Sequence, residues 1–194
     1  MAPLRLRGSA ALVLGLVCAL AAGCTPGSTT YAGPTDECGP IEPSQQDVRF
    51  ALEFGQALFS QPNWVKSYTV EPYRITLTRH NDEEGAVAYL EYLMYNCGYG
   101  QAELDEYFGD EGFAIVFANY ESYSLFNFCE EGNLALYEYA LENADETYAA
   151  RYWVQQSTDT RLLVFMLVFP EDRMFVMNSY SQELFPDLVS CGGP

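Results

Sequence analysis

The segment Ser44–Ser60, SQQDVRFALEFGQALFS, places Val48, Ala51, Leu52, Gly55, Leu58 and Phe59 at helical spacing behind Ser44, a residue suited to an N-cap. Gln61-Pro62-Asn63 ends that pattern. WVKSYTV and YRITLTRH then alternate on either side of Glu71-Pro72 and predict two strands joined by a tight turn. DEEGAVAYLEYLMYNC, residues 82–97, predicts a second long helix. Val87, Leu90, Met94 and Cys97 share a face, Asn81 and Glu84 have capping-box spacing, and Gly98 suits the residue after the last turn. QAELDEYF, Gln101–Phe108, predicts a short helix. GFAIVFANY, Gly112–Tyr120, is apolar on both alternating faces and predicts a central strand. NLALYEYALEN and ETYAARYWVQQ flank Ala144-Asp145 and predict a hairpin, with Arg151 between Ala149 and Trp153 on one face. TRLLVFMLVF, closed by Pro170, predicts another strand buried on both sides. Glu171–Phe185, with Met177, Tyr180 and Leu184 at helical spacing, predicts a last helix. Runs of helix, then strands, then a helix imply an α+β fold: an antiparallel sheet with N-terminal helices and a C-terminal helix packed on it.

The chain ahead of this pattern has a different character. Arg5 and Arg7 precede the apolar run SAALVLGLVCALAAG, which ends in small residues, the layout of an export signal. The run is shorter than the roughly 20 apolar residues of a spanning helix. Ala21-Ala22-Gly23-Cys24 resembles the lipobox of bacterial lipoproteins, with Ala21 where Leu is the commonest choice. That resemblance covers the first 24 positions only. It implies cleavage before Cys24, a diacylglyceryl thioether on its sulfur, and a chain held at the extracytoplasmic side of a bacterial membrane. Ordinary cleavage after Ala22 or Gly23 is the alternative. TPGSTTYAGPTDECGPIEPS, rich in Pro, Gly, Ser and Thr and without apolar period, reads as a flexible spacer. The expected organisation is therefore a signal over 1–23, a tether over 24–43 and one domain over 44–194.

Composition narrows the partners. The chain carries nine Lys and Arg against 27 Asp and Glu. Loss of Arg5 and Arg7 with the signal leaves seven against 27, a net charge of −20. Nucleic acids and anionic headgroups need basic patches, so neither is an expected partner. Four cysteines remain beside Cys24 in the mature chain: Cys38, Cys97, Cys129 and Cys191. An even count in an exported domain predicts two disulfides. Three connectivities are open, of which Cys97–Cys129 with Cys38–Cys191 is favoured, clipping a helix end to a strand end and stapling the ends of the domain. No two of these cysteines are close enough in sequence for usual zinc spacing.

Candidate chemistry is sparse. The single histidine, His80, stands beside Asn81 and Asp82 at a predicted strand end, and no GxSxG, HExxH, P-loop or dinucleotide glycine pattern occurs. No cofactor or metal is expected. Acids cluster at Asp82-Glu83-Glu84, Asp110-Glu111, Glu130-Glu131 and Asp145-Glu146, in turns and helix starts where acids are solvated. The run NYESYSLFNF offers Tyr120, Tyr123, Phe126 and Phe128 as an aromatic binding surface, although core edges use such residues too. The favoured expectation is a membrane-anchored, non-catalytic lipoprotein domain binding a protein, peptide or glycan, with no buried ionisable pair. A carboxylate-based envelope hydrolase, with acids converging in a cleft lined by Trp64, Trp153 or tyrosines, is one alternative. A carrier with an apolar cavity between sheet and helices is another.

Overall fold

The alternating segments pair into a single antiparallel sheet. The computed structural model describes residues 41–59, 64–97, 104, 108–144 and 146–192. Among these, seven strands are present: β1 Val65–Glu71, β2 Arg74–Asn81, β3 Ala86–Met94, β4 Ser122–Glu131, β5 Leu134–Asn143, β6 Glu146–Thr158 and β7 Arg161–Pro170. Their order across the sheet is β1-β2-β3-β7-β6-β5-β4. Two meanders meet where β3 pairs with β7. The connection from β3 to β4 must therefore pass across β7, β6 and β5, and it carries helix α2, Asp110–Val116, on the way. Helices α1, Gln45–Phe59, and α3, Met174–Leu184, complete the layers, with a 3-10 turn at Glu171–Arg173 leading into α3.

Each strand sends alternate side chains to opposite faces. One face, with Ile75, Leu90, Trp153, Phe165 and Phe169, is packed beneath α1 and α3. Trp153 stacks on Phe185 with centroids 4.7 Å apart, and its indole Nε1 donates to the Leu188 carbonyl at 2.9 Å. Burying an aromatic of this size contributes about 3 kcal/mol. Ile41, expected in the spacer, already packs against this core, and its carbonyl accepts from the Tyr73 amide at 2.7 Å. The other face holds a second core of Leu93, Val164, Met166, Tyr139 and Tyr152 packed with Phe113 of α2 and with Phe117, the residue that follows it.

Local chemistry explains the boundaries. Ser44 Oγ accepts from the Asp47 amide at 3.1 Å and Asp47 Oδ2 accepts from the Ser44 amide at 3.0 Å, a reciprocal cap at the start of α1. The Asp47 carboxylate also accepts from Arg161 Nε at 2.9 Å, tying the helix start to β7. Gly85 and Gly132 turn β2 into β3 and β4 into β5 at φ +62° and +63°, where a Cβ would be strained.

Four expectations need correction. Residues 86–94 are the strand β3, not helix: the segment is flanked on both sides by β2 and β7 and buried on both faces, so its helical spacing was fortuitous. Asn81 Oδ1 instead accepts from the amides of Glu83 and Glu84, shaping the β2–β3 turn. Residues 112–116, expected in a central strand, belong to α2, where Phe113 and Phe117 lie one helical turn apart with rings stacked at 6.1 Å. Cys129 is bonded to Cys191, not to Cys97, because β4 runs beside the C-terminal segment. Cys97 is itself disulfide-bonded. Finally, a buried ion pair is present: Glu138 and Arg151, opposite each other on β5 and β6, meet at 2.9 Å. The expected signal, Cys24, Cys38, the spacer up to residue 40 and most of the Gln101–Phe108 helix lie outside the described residues.

Candidate functional site

Strand β4 is the edge of the sheet, and among the described residues no strand pairs with its outer side. Nine of its ten residues are exposed and Cys129 is half-buried. It is nevertheless strongly apolar: Tyr123, Leu125, Phe126 and Phe128 are 38%, 49%, 55% and 47% exposed. Edge strands ordinarily carry charges or shortening that stop another chain from pairing with them. Here the middle of the edge carries neither.

A β-bulge builds the aromatic surface. Leu125 lies opposite Tyr139, and Asn127 opposite Glu138, so Phe126 is the extra residue. The insertion brings Phe128 opposite Tyr137 and into phase with Tyr123 and Leu125. Without it, Phe128 would point to the opposite face. The same shift sets Cys129 opposite Leu136, on the side where Cys191 reaches it. Tyr123 packs on Phe117 at 5.5 Å and Phe128 on Tyr137 at 4.7 Å. The edge thus continues the second core outward into solvent, and Ile115 of α2 adds to the exposed apolar area. Of the four residues expected to form a surface, Tyr123, Phe126 and Phe128 are gathered on β4. Tyr120 lies in the turn before it, half-buried, with its ring 5.6 Å from Tyr148. Leu125 and Ile115 were missed; strand alternation would have pointed to Leu125.

A surface cavity of about 380 Å³ opens at the Glu130 end of this edge, with Phe108, Tyr137, Asn133 and Gln156 in its wall. Burial pushes the hydroxyls of Tyr139 and Tyr152, beneath α2, well above the usual tyrosine range, so both remain neutral at physiological pH.

The acids do not converge. Glu138 and Glu91 are buried, yet Glu138 sits on the α1/α3 face and Glu91 on the α2 face of the sheet. Glu138 accepts from Arg151 Nε at 2.9 Å, from Asn127 Nδ2 at 3.3 Å and from the Cys191 amide at 3.4 Å. Arg151 also donates to Ser181 Oγ at 2.9 Å, which locks α3 to the sheet. Glu91 lies 3.5 Å from Arg74. Each buried carboxylate therefore serves an arginine, and the acid-pair arrangement of a glycosidase is not formed by them. Trp64 and Trp153 are buried core residues; Trp64 Nε1 donates to the Tyr180 hydroxyl at 3.3 Å. His80 stands exposed near the end of β2. Among the described residues, no group of three His, Cys, Asp or Glu side chains is placed to hold a metal ion. No helix of the described residues is long and apolar enough to cross a membrane. No protein-family model matches the chain, and no curated protein matches it in sequence.

Proposed function

We propose that this chain is an extracytoplasmic lipoprotein, anchored through Cys24, whose domain binds another polypeptide along the edge of β4. One observation carries the binding reading: a ten-residue edge strand presents four large apolar side chains to solvent, and among the described residues no strand pairs with its outer side. Pairing a segment to such an edge satisfies backbone groups and buries the aromatic row, the logic of β-strand addition. The anchoring reading is supported by Arg5, Arg7, the apolar run and the Ala-Ala-Gly-Cys sequence that follows it. Two acyl chains on one cysteine give a stable hold, where one alone binds reversibly.

Both parts can be tested in cells that make the protein. Cys24→Ser should move the chain from the membrane fraction to the soluble fraction; continued membrane attachment refutes the anchor. A photo-crosslinking residue at Phe126 should give a discrete polypeptide adduct, and the same residue at exposed Asn178 on α3 should not. Equal labelling at the two positions, or none at Phe126, refutes the binding edge.

A further inference from the structure

We infer that the segment taken up by β4 is an extended one in which apolar residues alternate with lysine or arginine. The inference rests on the proposed binding edge and names the chemistry of its partner. Between Arg79 and Arg151 the sequence has no lysine or arginine and sixteen Asp and Glu. That stretch includes all of α2, β4 and β5, so no cation is available from the elements that build the edge. Asp110, Glu121, Glu130, Glu131 and Glu142 are exposed around it.

The two faces of β4 differ in kind. Tyr123, Leu125 and Phe128 project to the α2 side, where they meet Phe117 and Tyr137. Ser122, Ser124, Asn127 and Glu131 project to the other side, and Ser122 Oγ donates to Glu142 there at 2.7 Å. An added strand alternates in the same way, so its residues on one face meet aromatics and those on the other meet hydroxyls and carboxylates. The cavity at the strand's end repeats the preference: the Glu130 carboxylate with the rings of Tyr137 and Phe108 suits an ammonium or guanidinium group.

Charge also selects against the chain's own material. Antiparallel pairing of two copies of β4 about Phe126 would set Glu131 of each directly against Glu121 of the other, a like-charge contact at both ends of the pair. Residues 25–40 contain Asp36 and Glu37 and no lysine or arginine, so that stretch is a poor match as well.

The test uses the detergent-solubilised full chain and three nine-residue peptides, alternating valine with lysine, glutamine or glutamate, with affinities read by calorimetry. The lysine peptide should bind about tenfold tighter than the glutamine peptide at low salt, the sum of a few exposed charge contacts. That gap should close at 1 M salt, where screening acts within about 3 Å. Glu131→Gln should narrow the gap without weakening the glutamine peptide, whereas Phe128→Thr should weaken both. Thermal melting of each variant checks that it is folded. Equal binding of the three peptides overturns the cationic preference and leaves the edge reading standing. Failure of all three to bind, or binding untouched by Phe128→Thr, overturns the edge reading and this inference with it.

Discussion

The two faces of the sheet solve the burial problem differently. The face under α1 and α3 is closed: Trp153, Phe165 and Phe185 interlock, and two ion pairs lie within it, Glu138 with Arg151 and Asp47 with Arg161. Among the described residues, the face under α2 is covered by that seven-residue helix together with Leu104 and Phe108, and it is filled largely by tyrosine and phenylalanine rings. Aromatics suit a margin such as β4 because they contribute large apolar area with few rotatable bonds, and tyrosine tolerates a wet end. The closed face holds the fold, and the exposed aromatic margin at β4 is a surface that something else could cover.

That contrast can be broken at several strengths. Glu138→Leu leaves the Arg151 guanidinium buried without its carboxylate and should cost about 3–5 kcal/mol in equilibrium urea unfolding. Adding Arg151→Met should return most of it; a double variant as unstable as the single one would show that the pair does not act as a unit. Phe113→Ala removes the ring that touches Tyr137, Tyr139 and Tyr152 and should cost about 3 kcal/mol. A loss below about 1 kcal/mol would mean that α2 does not seal the second core.

A smaller effect is expected at Asp47. Burial raises its pKa, but the hydrogen bonds from Arg161 and Ser44 and the Arg161 charge outweigh this and hold it below the usual carboxylate range. Its contribution is therefore complete above the unfolded value near 4 and is lost as pH falls through the lower folded value. Asp47→Asn should cost about 1–2 kcal/mol at pH 7. Stability measured against pH should show parent and variant converging in strong acid; a constant gap would contradict the assignment. Phe128→Thr, at the open margin, should cost about 1 kcal/mol or less while abolishing edge binding, which separates surface from scaffold.

Much of the architecture was legible in the chain. β5 and β6 alternate clearly around Ala144-Asp145, β7 is a ten-residue run from Arg161 to Pro170, and Ser44 marks the start of α1. The two misread segments share a cause. Residues 86–94, apolar but for Glu91, and 112–116 are short apolar runs, and periodicity alone does not separate a buried strand from a helix in such runs. The outcome was decided by neighbours distant in sequence, Leu77 and Phe165 beside Leu90 in the first case and the tyrosines beneath Phe113 in the second. The candidate surface was half legible. Its aromatic composition stood out, but the bulge at Phe126 has no local signature, and only the register it creates puts Phe128 beside Tyr137. The pairing of Cys129 with Cys191 depended on that same register.

The Cys129–Cys191 bond has a mechanical meaning. An edge strand is joined to its sheet by one hydrogen-bond ladder, and a partner that pairs with β4 would compete to pull it away from β5. Among the described residues, the chain meets the first core at Ile41 beside the β1–β2 turn, six strand spacings or about 29 Å across the sheet from β4. A tug between a bound partner and that entry point would load each ladder in turn, and the outermost would bear it first. The covalent link sends part of that load from β4 directly to the C-terminal segment, where Phe185 and Leu188 are seated in the first core. In the binding role proposed above, the bond would let the domain offer β4 to a partner without that strand being stripped off.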